Sequence, residues 1–185
     1  MPRRKLDPLR VAARLADILG ERTFVIGGYA VAAWGFTRAT EDVDLAVDLT
    51  AAEAKRRLTR AGLAIRKARG DVLEGDLPWV LSGEMDGVPF QVMPPPVAVD
   101  WSRARQIEVG GATLKVVGLR DLLRLKLKAA GPKDFMDIAE LLGAYPDLTA
   151  ETQAAADAYG VGDELTRWLT HLRPRPGADR SKKRK

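Results

Sequence analysis

The chain has 185 residues, of which 46% are hydrophobic and 30% are charged, and its formal net charge is +5. This length and apolar content suffice for one globular domain with its own core. The chain contains no cysteine, which excludes disulfides, thiolate chemistry and the common zinc modules, and its single histidine, His171, argues against a histidine metal site. No apolar stretch is long enough to cross a bilayer and no signal sequence follows the basic start, so we expect a cytoplasmic protein without a membrane partner.

The positive charge is concentrated at the C-terminal end of the chain. Residues 173–185 hold seven Lys or Arg and one Asp, so residues 1–172 carry a net charge of −1 against the +5 of the whole chain. Because this segment is rich in charge, Pro and Gly and has no large apolar side chain, we predict a disordered basic tail. The sequence leaves open whether the tail only keeps the protein soluble or helps to hold RNA or another polyanion.

Helical and strand patterns alternate in the first part of the chain. Apolar residues at helical spacing predict a first helix over 6–19, and the apolar run 23–26 predicts a strand that ends at Gly27 and Gly28. The further predicted elements are a short helix over 29–35, a strand over 42–47, a helix over 51–62 behind a capping box at Thr50, a strand over 63–68, and hairpins over 79–93 and 106–117.

From residue 119 onward the pattern is helical. The predicted helices cover residues 119–130, 132–145, 149–160 and 161–172. The sequence therefore predicts an α/β core over 1–118, C-terminal helices over 119–172 that pack on this core, and the tail over 173–185.

Two aspartates and two glycines in the first half of the chain indicate a candidate binding site. Asp42 and Asp44 lie two residues apart in the predicted strand, so their side chains emerge on one face with Cα atoms about 7 Å apart. Two carboxylates at this spacing can share one Mg²⁺ or lie between two. Gly27 and Gly28 end a strand just before a helix, where they allow a phosphate to approach free backbone N–H groups. Each feature alone is common in turns and solvated strands, but together they predict a site for a Mg²⁺-bound triphosphate.

The stretch GGYAVAAWGFTRATEDVDLAV resembles the signature of the nucleotidyltransferase superfamily typified by DNA polymerase beta, in which a Gly-Gly or Gly-Ser turn precedes Asp-x-Asp. Arg38 and Thr40 continue the period-two face of the two aspartates. This arrangement, GG-x-A followed by R-x-T-x-D-x-D, is similar to that of abortive-infection nucleotidyltransferase toxins and related small bacterial proteins. The resemblance implies an α/β nucleotidyltransferase fold, with a mixed β-sheet flanked by helices and a helical C-terminal part.

A second match lies in LLRLKLKAAGPKDFMDIAELL, residues 122–142, which is similar to the segment where those proteins carry a Lys on one helix and Lys-Asp-x-x-Asp at the start of the next. Lys126 can reach a triphosphate as a point charge. Asp134 is placed to cap its helix, and Asp137 lies one turn later, where it can orient Lys126 or a bound nucleotide. An ordinary helix cap with solvated charges is the alternative interpretation.

The resemblance implies a nucleotidyltransferase that moves a nucleoside monophosphate from an NTP to an acceptor hydroxyl with Mg²⁺ or Mn²⁺ as cofactor. It leaves open whether the acceptor is RNA or tRNA, a protein or a small molecule such as an aminoglycoside, and whether the protein is a toxin with a cognate antitoxin protein as partner. The implied catalytic residues are Asp42, Asp44 and Lys126, of which Asp42 and Asp44 are the metal ligands, and the implied nucleotide-binding residues are Gly27, Gly28, Arg38, Thr40, Asp134 and Asp137.

The sequence departs from the superfamily pattern at the third carboxylate, which active members carry on a later strand. The matching residue here is Gln91, whose amide oxygen can ligate Mg²⁺ but cannot act as a base near neutral pH. If the hairpin turns at residues 86–87, Glu84 pairs with Pro89 and shares a face with Gln91, so Glu84 is a candidate substitute. A protein that binds a nucleotide or a partner without catalysis is therefore the alternative function.

Overall fold

The computed structural model describes residues 7–68 and 77–172, and the predicted tail over 173–185 lies outside them. Seven α-helices, two short 3-10 helices (Trp101–Arg103 and Pro146–Leu148) and seven strands occur in this part of the chain. The helices are α1 (Pro8–Leu19), α2 (Gly27–Ala33), α3 (Ala51–Arg60), α4 (Leu119–Ala129), α5 (Pro132–Ala144), α6 (Thr149–Ala158) and α7 (Gly162–Leu172). The strands are β1 (Thr23–Val25), β2 (Val43–Val47), β3 (Arg66–Ala68), β4 (Val80–Met85), β5 (Val88–Met93), β6 (Arg105–Val109) and β7 (Ala112–Val116). These elements confirm the predicted α/β class.

All described strands form one mixed sheet in the order β3-β4-β5-β2-β1-β7-β6. β2 is parallel to β5 and β1 is parallel to β7, whereas the remaining neighbours are antiparallel. One face of β2 is closed by α1, because Val43, Leu45 and Val47 alternate onto the core side and are buried. The other face of β2 carries Asp44 and lies beside α2.

The two predicted hairpins are present, and each turns at two residues that tolerate positive φ angles. Asp86 and Gly87 have φ angles of 52° and 79° between β4 and β5, as a type I′ turn requires. Gly110 and Gly111, with φ angles of 60° and 86°, make the equivalent turn between β6 and β7. The turn chemistry therefore determines the register in which β4 and β5 pair.

Three local predictions near the glycines and aspartates differ from the structure. Helix α2 begins at Gly27 itself, and strand β2 begins at Val43, so Asp42 lies just before the strand. Arg38 and Thr40 do not continue the strand face, because residues 36–41 are irregular. The Tyr29 hydroxyl donates a hydrogen bond to the Thr40 carbonyl (3.0 Å), so this backbone acceptor pairs with a side chain and not with a neighbouring strand.

The helices after the sheet pack against one another and against α2. Helix α4 contacts α2, α5 and α6, and α7 contacts α5 and α6. The apolar side of α4 is buried, and the same helix carries Lys126, which is almost fully buried despite its charge. Across 7–68 and 77–172 we find no helix that is both long and apolar enough to span a membrane.

Candidate active site

The start of α2 lies directly against the acid pair. Gly27 has a φ of 64°, and a Cβ added to it would overlap Asp44 Oδ2. A Cβ on Gly28 would overlap the Thr40 Oγ1 in the same way. Both glycines are therefore required by close approach, since side-chain atoms of Asp44 and Thr40 occupy the space that a larger residue would need.

Asp42 and Asp44 form no ion pair with any cation in the described part of the chain. Burial raises the pKa of Asp44 to about 7, and the negative charge of Asp42 adds to this effect. The charges of Lys126 and Arg38 act in the opposite direction without cancelling it. A buried carboxylate next to a second carboxylate gains electrostatic stabilisation from a divalent cation.

Asp134 and Asp137 form a second acid pair, and this pair is fully matched by cations. Lys126 Nζ lies 2.7 Å from Asp134 Oδ1 and 2.8 Å from Asp137 Oδ2. Arg38 Nε and Nη2 donate to the two carboxylate oxygens of Asp137 at 2.8 and 3.1 Å. Asp137 has no exposed surface, and its hydrogen bonds to Arg38 raise the pKa of that guanidinium. The paired network therefore ties α4, α5 and the segment before β2 together.

Asp134 has a second structural task at the start of α5. Its Oδ2 accepts a hydrogen bond from the backbone N–H of Gly131 at 3.2 Å, while its Oδ1 binds Lys126. The cap that the sequence suggested is therefore present. One carboxylate consequently links the helix start to the lysine that stands near Asp44.

A cavity of about 210 Å³ opens beside these groups. Its polar lining consists of Asp44, Lys126, Asp134, Lys128 and the backbone of Gly27. Its apolar lining consists of Ile26, Leu77, Met93, Pro96, Leu122, Leu125 and Ala129. A larger cavity of about 750 Å³ near the N-terminal end of α4 contains none of the predicted site residues.

The structure thus gathers the predicted residues into one region of the molecule, although not all of them line the cavity. The cavity is lined by Gly27, Asp44, Lys126 and Asp134. Arg38 and Asp137 lie behind Lys126 in the paired network. Gly28 and Thr40 support the start of α2. Asp42 lies two residues before Asp44 in the chain and acts on it electrostatically. Sequence reasoning missed the apolar wall that α4 contributes to the cavity. The spacing of Leu122 and Leu125, four residues and one residue before Lys126, could have indicated it.

Gln91 lies where the third carboxylate was expected. Its Cα is the direct partner of Asp44 across the parallel pair β2 and β5. Glu84 pairs with Pro89, as the hairpin predicted, but it is exposed on β4, which is two strands away from β2. The described ranges contain no group of three or more His, Cys, Asp or Glu placed to hold a metal ion.

Solved structures with the same architecture identify the fold. The chain matches the antibiotic-resistance factor ANT(2″)-Ia, described as having substrate-regulated conformational dynamics, with a TM-score of 0.55 and 14% identity over 88% of this chain and 95% of that one. It also matches an antigenic nucleotidyltransferase-like protein from Paracoccidioides brasiliensis, with a TM-score of 0.50 and 18% identity over 87% and 91% of the two chains. Neither the family models nor the curated proteins compared with the chain match it.

These likenesses define the class of fold: the chain has the nucleotidyltransferase fold. The fold that the resemblance implied, with a mixed sheet flanked by helices, is thereby confirmed. The closer resemblance to abortive-infection toxins stays a prediction.

Proposed function

We propose that this protein is a Mg²⁺- or Mn²⁺-dependent nucleotidyltransferase that moves a nucleoside monophosphate from an NTP to an acceptor hydroxyl. The observation that carries the proposal is the Asp42–Asp44 pair, which forms no ion pair within residues 7–68 and 77–172 of a nucleotidyltransferase fold. Asp44 also stands against Gly27, and the charge of Lys126 acts on it. A solvated, structural acid pair would not be expected to have one member whose pKa is raised by burial.

The donor set fits a hard divalent cation. Mg²⁺ and Mn²⁺ prefer carboxylate, carbonyl and phosphate oxygens. Such ligands are provided by Asp42 just before β2, by Asp44 on β2 and by the amide oxygen of Gln91 on β5. When bound, the cation would neutralise charge on the triphosphate and favour the ionised form of Asp44. Lack of a third carboxylate leaves ligand positions for phosphate oxygens and water, which suits the coordination habits of Mg²⁺.

The protein's own cations are placed to stabilise a transferring phosphoryl group. Lys126 and Arg38 each lower the pKa of Asp44, so both charges act at the acid pair. Asp137 holds both of them in fixed positions, which lowers the cost of reorganisation during reaction. In the reaction the acceptor hydroxyl gives its proton to water and its oxygen bonds to the α-phosphorus, while the bond from that phosphorus to the oxygen of the leaving pyrophosphate breaks.

The candidate acceptors are a hydroxyl of RNA or tRNA, of a protein or of a small molecule, and the proposal includes the role of a toxin paired with an antitoxin protein. The second candidate function is a nucleotide-binding or partner-binding protein that has lost turnover. The position of Gln91 beside Asp44 favours this second candidate, since an amide cannot accept the proton of the attacking hydroxyl.

Incubation with labelled NTPs, Mg²⁺ and total RNA tests the proposal. We expect label transfer that falls by about a hundredfold or more in Asp42→Asn and in Asp44→Asn, because each variant removes one anionic ligand of the triphosphate's metal. Glu41→Gln is the matched control, since Glu41 is exposed and directly precedes the pair. Transfer that is unchanged in both aspartate variants contradicts the proposal, and NTP binding without any transfer supports the second candidate.

Replacement of Gln91 by an acid separates the two candidates more finely. Gln91→Asp is expected to raise the transfer rate by about tenfold, because it adds a carboxylate beside Asp44. Gln91→Asn is the control, since it changes the length of the side chain without adding charge. An unchanged rate in a correctly folded Gln91→Asp variant would show that position 91 takes no part in the chemistry.

A further inference from the structure

A row of polar side chains leads away from Asp44 across four strands. Asp44 on β2 pairs with Gln91 on β5, Gln91 pairs with Ser82 on β4, and Ser82 pairs with Arg66 on β3. Residues directly opposite each other on neighbouring strands place their side chains on the same face of a sheet. With strands about 4.8 Å apart, three steps separate Asp44 from Arg66 by about 14 Å.

This row lies on an open face of the sheet. Ser82 and Gln91 are half-buried and Arg66 is exposed, whereas Leu81 and Phe90, which point to the opposite face, are fully buried in the core. The described part of the protein therefore leaves a solvent-accessible path from the acid pair to the edge strand β3.

Within the described residues, no side chain engages Arg66. Its side chain forms no ion pair or hydrogen bond with any residue of 7–68 or 77–172, whereas Arg56 and Arg57 on α3 both pair with Glu53. Its neighbours in the row, Ser82 and Gln91, are uncharged hydrogen-bonding groups, and Glu84 lies in the adjacent row opposite Pro89. An unpaired guanidinium at the end of a neutral polar path is suited to a phosphate group.

The direction of the row matches the side from which an acceptor must approach. In the proposed function, on which this inference rests, the triphosphate lies on the Gly27 side of Asp44, where the chain passes from β1 into α2. Phosphoryl transfer places the attacking and leaving oxygens roughly in line. Because β1 and β5 flank β2 on opposite sides, the attacking hydroxyl comes from the side of Gln91.

We infer that Gln91, Ser82 and Arg66 form the acceptor-binding surface, and that Arg66 binds a phosphate group of the acceptor. The acceptor is thus a phosphate-bearing molecule, whether an RNA strand or a phosphorylated small molecule. A polycationic acceptor of the aminoglycoside type is disfavoured, since the guanidinium of Arg66 repels it.

Direct binding measurements test this surface without relying on turnover. The fluorescence anisotropy of a labelled single-stranded RNA oligonucleotide gives the affinity of the full-length protein and its variants at several salt concentrations. Arg66→Ala is expected to weaken binding about five- to tenfold and to reduce the salt slope by about one phosphate contact. Arg60→Ala is the matched control, because Arg60 is also exposed and has no ion pair within the described residues, but lies at the end of α3, outside the row.

Competition identifies the source of the phosphate. A nucleoside monophosphate that displaces the RNA in wild type but not in Arg66→Ala supports a phosphorylated small molecule, and displacement only by longer RNA supports a strand. Equal losses in Arg66→Ala and Arg60→Ala, or no loss in either, overturn the inference. The inference is also overturned if the wild-type protein binds an aminoglycoside more tightly, or modifies it faster, than any phosphate-bearing acceptor.

The same variants separate this inference from the proposed function. RNA affinity that depends on Arg66 in a protein that never transfers label supports the binding surface and contradicts the enzyme. Label transfer to RNA that is insensitive to Arg66→Ala supports the enzyme and overturns the surface. Arg66 is exposed on an edge strand, so its removal leaves the buried core of the sheet unchanged.

Discussion

Two pairs of aspartates stand close together in this protein, and they differ in their electrostatic compensation. Lys126 pairs with both Asp134 and Asp137, and Arg38 pairs with Asp137, at distances of 2.7 to 2.8 Å. Asp42 and Asp44 have no such partner in the described residues, and the pKa of Asp44 is raised to about 7 by burial and by its neighbour. The matched pair is neutralised by side chains of the described residues, whereas in the proposed function a divalent cation neutralises the unmatched pair.

The comparison explains why four acids in one region have two different roles. Removing a partner from the matched pair leaves buried charge uncompensated, which is costly. Removing charge from the unmatched pair relieves repulsion and burial, which is favourable for folding. Stability and activity are therefore expected to change together at Asp137 and in opposite directions at Asp44, as functional sites often show.

The largest expected effect on stability is at the matched pair. Asp137→Asn removes the charge that holds both Arg38 and Lys126, so we expect the free energy of unfolding at pH 7 to fall by about 3 kcal/mol. Chemical denaturation measures this change. Glu140→Gln, on the same helix but exposed, is expected to change stability by less than about 0.5 kcal/mol. Equal effects of the two substitutions would mean that the matched pair is not a buried electrostatic unit.

A smaller loss is expected where the glycine turn meets the unmatched pair. Gly27→Ala forces a residue with a Cβ into a φ of 64° and against Asp44 Oδ2, and we expect a loss of about 2–3 kcal/mol in the free energy of unfolding. Gly62→Ala is the control, since Gly62 has a φ of 83° but open space around its Cβ position. If both alanines cost the same, the approach of Asp44 to the glycine does not constrain this turn.

The smallest effect has the opposite sign and depends on pH. The folded pKa of Asp44, about 7, lies above its ordinary value of 3.8, so the folded protein binds more protons than the unfolded chain between these values. The extra proton bound by Asp44 in the folded state stabilises the protein at low pH, and this stabilisation is lost as the pH rises from about 4 to about 7. Without divalent metal, Asp44→Asn is expected to raise the free energy of unfolding by about 1–2 kcal/mol at pH 8, and the gain should shrink toward pH 4.

Thermal denaturation of wild type, Asp44→Asn and Glu41→Gln at pH 4, 6 and 8 measures this dependence. Glu41 is exposed, so its substitution should not reproduce the gain. A destabilised Asp44→Asn variant at pH 8 would show that the carboxylate is satisfied within the protein, and the contrast between the two pairs would then be wrong.

Much of the fold could be predicted because it rests on local rules. The Asp86-Gly87 turn requires residues that tolerate positive φ, and it correctly placed Glu84 opposite Pro89. The pairing of Asp44 with Gln91 was anticipated only through the resemblance, since parallel neighbours are joined by long connections that carry no register signal.

The sequence could not predict which of the two acid pairs is matched by cations and which is not. Arg38 was expected to continue the strand face of the aspartates, but it bonds to Asp137, 99 residues later in the chain. Such a contact depends on how α5 packs against the segment before β2, and sequence spacing contains no measure of that distance. Likewise, that Arg66 has no partner among the described residues becomes visible only when the strand register and its surroundings are known.

Calorimetric titration of the protein with ATP, in Mg²⁺ and in EDTA, tests most directly whether the unmatched pair is a metal and triphosphate site. We expect binding in Mg²⁺ that disappears in EDTA and in the Asp42→Asn/Asp44→Asn double variant, and that persists in Glu41→Gln. ATP binding of equal strength in EDTA, or in the double variant, would contradict the assignment of this pair to a metal-bound triphosphate.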